Sequence, residues 1–211
     1  MSARLSASDR REQLLRVALT TFARAGYHET SMNDIADAAG VTKPVLYQHF
    51  ESKRELYHAL LESVGEEMVL AVTVAASGVT SGREQTRLGF RAYFRWVSEN
   101  RDAFTLLFGG GSRQDVEFAR AVRRFTDAAA RAIAPLIAAG IDRDHQLTLA
   151  HAIVGMSEGA SRRLVEHGRE FDADVMADQL SDLAWAGLRG LAQTATDGQA
   201  SESQLATAAG D

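Results

Sequence analysis

An all-α fold is predicted, and three observations predict it. Apolar residues recur at three- and four-residue steps in block after block along the 211-residue chain. Only two prolines are present, and helix-favouring residues are abundant. Helix-start signals at Ser31, Thr42 and Ser52 crowd into a short N-terminal stretch. The implied layout is an N-terminal three-helix domain (9–60) holding a helix-turn-helix, followed by a larger helical domain (61–193). Residues 1–8 read as a disordered lead, and the polar, small-residue tail 194–211 reads as disordered too.

The first helix is expected over about 9–25. Leu14, Leu15, Ala18, Leu19, Phe22 and Ala23 fall on one face. Asp9 is the expected cap, with Glu12 three residues on, and Gly26 ends the helix. In the second helix Ser31 and Asp34 have capping-box spacing, Ile35 and Ala39 share a face, and Gly40 lets the chain leave. Thr42 can cap the third helix, where Pro44 is tolerated because it lies in the first turn. Ser52 and Glu55 repeat the capping-box spacing and open a long helix to about Ala75, carried by Leu56, Leu60, Leu61, Val64, Met68 and Val72. The stretch 77–82 is the clearest linker.

The second half continues the helical pattern. A helix from about Arg83 carries Leu88, Ala92, Phe94, Trp96 and Val97. Asn100 can cap a short helix with Ala103, Phe104, Leu107 and Phe108. Gly109, Gly110 and Gly111 follow. No strand precedes them and no P-loop lysine comes after, so they read as a helix end, not a phosphate cradle. A helix over about 114–138 uses Val116, Val122, Phe125, Ala129 and Ile133, with Pro135 loosening its last turn. The last two helices are expected over about 143–166 and 172–191. Gly155 and Gly159 lie one turn apart in the first of these. Glycine in a helix costs about 0.5–1 kcal/mol, which implies a compensating close approach. These two helices are expected to pair with their copies in a second subunit as a four-helix bundle, through Gly155, Gly159, Leu180, Ala184 and Leu188. Packing within one chain is the other outcome.

Composition excludes several classes. With no cysteine there is no disulfide framework, no thiolate zinc site and no cysteine nucleophile. No stretch approaches the ~18 apolar residues of a membrane span. The first residues hold no apolar run, so no signal peptide is read there, and a cytoplasmic location is expected. Catalytic signatures are missing. His145 and His151 do not share a helical face, no HExxH occurs, His151 and Glu158 make a weak metal pair, and Glu158 with Arg162 reads as a surface salt bridge. No enzyme activity, metal or cofactor is expected.

The short helix after Thr42 carries the functional reading. With Leu46 at zero and about 100° per residue, Phe50 falls about 40° away, so these two form a buried stripe with Val41 at its entry. Pro44, Val45 and Gln48 lie opposite, Lys43 and Tyr47 flank one edge, and His49 the other. A helix entering a DNA major groove needs this layout: a hydrogen-bonding side chain at its deepest point, and cations and hydroxyls at the rims. Gln48 fits a base reader, because an amide can bond adenine N6 and N7 together. Thr42, Lys43, Tyr47 and Lys53 fit phosphate contacts. An ordinary helical hairpin with a solvated face is the bland alternative. The chain's only two lysines, Lys43 and Lys53, both lie here. Arg4, Arg10 and Arg11 are either solvated or near phosphates. The net charge of −5 is unevenly spread. Residues 1–60 carry eight Lys and Arg against seven Asp and Glu, a net +1, and the remainder carries −6. Screening over ~8 Å lets a local basic rim act despite that excess. Binding should weaken steeply with salt.

The same residues carry a resemblance. The stretch 11–61 is similar to the N-terminal domain of the TetR family of transcriptional regulators: F-A-R-A-G-Y at 22–27, T-S-M-N-D-I-A at 30–36, A-G-V-T-K at 39–43 and L-Y-Q-H-F-E-S-K-R-E-L at 46–56. It covers roughly the first third of the chain. By resemblance, Tyr47 and Lys53 hold DNA phosphates, Ser31 and Thr42 anchor helix N-termini to the DNA backbone, and the protein is a homodimer on double-stranded operator DNA that responds to a small-molecule effector. The family often carries glycine or alanine where this chain has Pro44. Repression relieved by a ligand is the family default. Activation is the in-class alternative, and a helical protein-interaction module without DNA binding is the out-of-class one. Phe90, Phe94, Phe104, Phe108, Phe125 and Met156 either line a cavity for an apolar, lipid-like effector or fill a core.

Overall fold

A computed structural model describes residues 6–109, 115–137, 140–166 and 171–208. Among these residues the helices are α1 (Ala7–Glu29), α2 (Met32–Ala38), α3 (Lys43–Tyr47), α4 (Lys53–Ala76), α5 (Gly82–Glu99), α6 (Arg101–Phe108), α7 (Val116–Ile133), α8 (Arg143–Glu166) and α9 (Ala173–Ala208), and no strand occurs. The fold is all-α, as expected. Arg4, Gly110 and Gly111 lie outside the described residues.

Two compact units emerge. Residues up to Met68 join Glu99–Phe125 in one, and Val69–Ser98 joins the described residues from Thr126 onward in the other. The chain passes between them three times: within α4, at the last residue of α5, and within α7.

In the first unit α1 packs on α2 and α6. Leu14, Ala18, Ile35, Leu46, Phe50, Leu56 and Leu61 are fully buried. Beside them Phe22, Tyr27, Tyr57 and Phe118 meet in three edge-to-face contacts and one tilted contact, with centroids 4.6–5.0 Å apart. Phe118 thereby anchors the start of α7 against α4 and the end of α1. Arg54 adds to that anchor. Its guanidinium spans Asp115 at 3.2 Å and Glu117, and lies over the Phe118 ring. Further along, Phe125 sits face-on against the α4 backbone at Gly65, where any Cβ would collide with its ring.

The second unit has two apolar clusters. Ala130, Ala134, Ile137 and Ala150 make one, with Leu147, Ile153 and Leu188 packed around it. Phe90, Phe94 and Ala177 make the other, with Tyr93, Met156, Met176 and Leu180. Arg91 and Arg95 of α5 both pair with Asp174 near the start of α9.

Several boundaries differ from expectation, each for a local reason. The cap of α1 is Ser6, whose Oγ accepts from Asp9 N–H at 3.1 Å; Asp9 lies inside the first turn, where a carboxylate suits the helix dipole. Gly26 breaks the helical path of α1 as expected, at φ +82°, but α-helical bonding resumes to Glu29. Thr42 and Asn100 occupy N-cap positions without a side-chain cap bond. At the start of α4 only half of the expected box forms: Ser52 Oγ accepts from Glu55 N–H, while Glu55 accepts from Glu51 N–H instead. α7 ends at Ile133, and Pro135 falls in a 3₁₀ turn, Ala134–Leu136, that leaves the helix. α9 passes its expected end at Leu191 and runs to Ala208, through the stretch expected to be disordered. That stretch holds five alanines and no proline, so no proline stops a helix there.

Candidate nucleic-acid interface and effector unit

The presentation of α3 begins with α2. Ser31 and Asp34 form the complete capping box: Asp34 N–H donates to Ser31 Oγ at 3.2 Å, and Ser31 N–H and Oγ both donate to Asp34 Oδ2 at 2.8 and 2.7 Å. Those bonds from Ser31 hold the Asp34 carboxyl below the usual carboxylate range. α2 then closes on Gly40 at φ +63°, a conformation side chains disfavour. Gly40 N–H donates to Asp37 O and Val41 N–H to Ala36 O, so the last carbonyls of α2 find partners. The chain re-enters α3 immediately.

α3 has the expected faces. Leu46 and Phe50 are fully buried, and Val41 is half-buried. Thr42, Lys43, Pro44, Tyr47 and Gln48 are exposed, while Val45 and His49 are half-buried at the margins. Lys43 Nζ lies 5.8 Å from the Tyr47 ring centre, placing cation and phenol together on one rim. Ser31 is exposed at the α2 N-terminus. Arg11 stacks over Phe50 at 5.0 Å.

Lys53, expected at a DNA phosphate, is held within the protein by backbone carbonyls. Its ammonium donates to the carbonyls of Tyr27, Thr30 and His28 at 2.8, 2.9 and 3.3 Å, and sits 4.5 Å from the Tyr27 ring centre. An ammonium has three donors, and here all three hold the end of α1. The sequence hid this contact, because the partners lie more than twenty residues upstream and are backbone atoms.

The six proposed effector residues do not form one group. Phe90, Phe94 and Met156 share the second unit's cluster. Phe104 and Phe108 belong to the first unit, buried with ring centres 5.0 Å apart. Phe125, also there, packs on Gly65.

The five proposed dimer residues divide as well. Gly155 and Gly159 are exposed, with no atom within 4 Å of where a Cβ would stand. Leu180 and Ala184 pack inward against Phe90, Phe94 and Ala177, and Leu188 against the other cluster. The outward stripe of α9 is instead Val175, Gln179, Leu183 and Gly187, with Leu183 62% exposed. Its four-residue spacing was readable, but its phase relative to the inward stripe was not.

Among the described residues, no group of three His, Cys, Asp or Glu gathers as metal ligands. His151 lies 3.8 Å from Asp127 on the surface. No described helix is long and apolar enough to cross a membrane.

Known families match both the N-terminal helices and the larger remainder of the chain. Residues 14–60 match the profile described as bacterial regulatory proteins, tetR family, and residues 83–187 match a tetracyclin repressor-like C-terminal domain. The HTH-type transcriptional activator FasR of Mycolicibacterium smegmatis is 34% identical over 187 residues, 88% of this chain and 85% of that protein. The crystal structure of a TetR-like transcriptional regulator from Rhodococcus sp. RHA1 superposes with a TM-score of 0.74 at 32% identity, over 89% of this chain and all of the other. The transcriptional regulator FadR from Bacillus subtilis, in complex with stearoyl-CoA, shares the fold at a TM-score of 0.72 and 15% identity, over 82% of this chain and 96% of that one. With an exposed α3 set on a capped, glycine-closed turn, and relatives matched through both halves, the chain belongs to the TetR family of transcriptional regulators.

Proposed function

We propose that this protein is a dimeric regulator whose α3 enters the major groove of a near-palindromic operator and whose second unit answers to a small, largely apolar effector. The observation that carries the DNA reading is the split of α3: Leu46 and Phe50 fully buried, Lys43, Pro44, Tyr47 and Gln48 exposed. Gln48 reads a base edge, Val45 and Pro44 sit against it, and Thr42, Lys43, Tyr47 and Ser31 lie toward phosphates. His49 borders the other rim. Two such helices in a dimer would meet successive major-groove faces ~34–36 Å apart. An effector that favours one arrangement of the dimer shifts DNA affinity by its differential affinity for the two, typically about 1–3 kcal/mol.

The apolar character of the effector rests on Phe90, Phe94, Met156 and Met176, which the second unit gathers in one cluster. The stearoyl-CoA bound by the B. subtilis FadR is an acyl compound of that character. Repression relieved by ligand is the default direction. Activation is favoured by one observation: the M. smegmatis relative matched through both halves is named an activator. A helical interaction module without DNA binding is the remaining alternative. The reading places the protein in the cytoplasm, with the chromosome.

Electrophoretic shift against genomic fragments separates these readings. Specific retardation supports a regulator; none, down to low salt, leaves the interaction module. On a retained fragment, Tyr47→Phe weakens binding evenly across sequences. Gln48→Ala costs about 1–3 kcal/mol at one base position and relaxes preference there. If neither substitution changes binding, α3 is not the docking element.

A further inference from the structure

With Lys53 engaged by the end of α1, the proposed interface is short of charge. Of the side chains placed toward phosphates, Ser31, Thr42 and Tyr47 are neutral, and Lys43 is the one permanent cation. Binding to a duplex draws much of its strength, and its salt dependence, from cations that neutralise phosphates. The fold brings a second cation to α3 from α1.

Arg11 is distant in sequence, yet its guanidinium lies over the Phe50 ring, 5.0 Å from the ring centre. Phe50 is fully buried and comes two residues after Gln48, so Arg11 is held against the end of the reading segment. The neighbouring arginines of α1 are engaged elsewhere. Arg10 donates to Gln13 Oε1 at 2.6 Å, and Arg16 pairs with Glu12 at 3.8 Å. Arg11 is exposed, and among the described residues no side chain or carbonyl accepts from it. A guanidinium has five N–H donors in a fixed fork. The Phe50 ring shields one side of the group and leaves those donors open to solvent. The fork matches two oxygens of one phosphate, and a ring beneath it limits the freedom lost when the fork closes on an anion.

We propose that Arg11 is a further DNA contact. Held on Phe50, it donates to a phosphate bordering the groove that α3 enters, and supplies charge that Lys53 does not. This rests on the DNA reading above and adds a residue to it.

The test uses the full chain and a short duplex trimmed from a genomic fragment that wild type retains. Affinity is measured against salt concentration. Each neutralised phosphate contributes about 0.9 to the slope of log affinity against log salt. Arg11→Met keeps an apolar cover over Phe50. It is expected to lower that slope by about 0.9 for each reading head on the duplex, equally on the chosen and on scrambled sequences. Arg11→Lys keeps the charge and should keep the slope. Arg10→Met, the control, should leave slope and affinity unchanged. Methylphosphonates placed one at a time along the duplex are expected to reveal a position that weakens wild type and not Arg11→Met. An unchanged slope in Arg11→Met, or a methylphosphonate profile that matches wild type at every position, would overturn the contact and leave Arg11 as a cover for Phe50, whatever the melting temperature of the variant. If wild type retains no fragment even at low salt, the DNA reading itself falls, and the Arg11 contact with it.

Discussion

At the scale of single residues, the informative case is Lys53. Its sequence neighbourhood reads as a phosphate-binding rim, yet its three donors go to the Tyr27, His28 and Thr30 carbonyls. Those carbonyls lie past the break at Gly26, at the C-terminal end of α1, where the last carbonyls have no partner further along the helix. Hydrogen bonds to a charged group contribute about 1.5–3 kcal/mol. Lys53→Met is therefore expected to lower the stability of the first unit by about that amount in a chemical-denaturation experiment without DNA. Unchanged stability with lost DNA binding would return Lys53 to the phosphate. Asp34 gives a second residue-level expectation. Bonds from the Ser31 hydroxyl and N–H hold its carboxyl below the ordinary aspartate range. A folded pKa below the unfolded one contributes stability that is present above the unfolded value and disappears as pH falls through the folded value. Asp34→Asn should thus flatten the acid limb of stability against pH, below about 4, and leave the neutral limb shifted by a constant. An acid limb of unchanged slope would mean that the box does not titrate with folding.

At the scale of elements, α4 and α7 matter most, because each begins in one unit and ends in the other. In the first unit they are joined at three levels: Arg54 to Asp115 and Glu117, Arg124 to Glu62 at 3.1 Å, and Phe125 on Gly65. The ion pairs are exposed and contribute little individually. The Gly65 contact is steric and cannot be screened. Gly65→Ala must displace the Phe125 ring, since the new methyl would overlap it. Overpacking of this kind costs typically about 1–3 kcal/mol, against a gain of up to about 1 kcal/mol from helix propensity. A net loss in melting temperature is expected, and the pairing of Gly65→Ala with Phe125→Leu should recover part of it. A stabilised single variant would show that the ring moves freely. The elements also show what was legible from sequence. The faces of α3 were readable, because Leu46 and Phe50 fix the phase of a five-residue helix. The phase of α9 was not. Leu180–Ala184–Leu188 and Val175–Gln179–Leu183 are adjacent stripes with similar apolar content, and only the Phe90–Phe94 cluster decides which turns inward. The aromatic residues were ambiguous for a related reason: periodicity shows that Phe104 and Phe90 each face a core, but not that the cores belong to different units.

At the scale of the whole molecule, the open question is what covers the outward faces of α8 and α9. Leu183 and Val175 are exposed at 62% and 49%, and α8 presents Gly155 and Gly159 with open space around them. Two exposed large apolar side chains one face apart would not by themselves require a partner. The glycines add a reason. Each weakens α8 by about 0.5–1 kcal/mol relative to alanine, and none of the described residues approaches them closely enough to offset that. A second copy could, by bringing a helix against the flat strip of Gly155 and Gly159 while Leu183 and Val175 bury against their counterparts. Leu183→Glu is then expected to shift the protein from dimer to monomer in sedimentation, because two like charges would face each other across a two-fold axis. Its DNA affinity should fall with it, since a single reading helix loses half of the site. Leu180→Ala is the control. It removes inward packing against Phe90 and Phe94, so it should lower the melting temperature while the molecule stays dimeric. A dimer that survives Leu183→Glu but dissociates on Leu180→Ala would place the subunit contact on the inward stripe and require the second unit to open before it pairs.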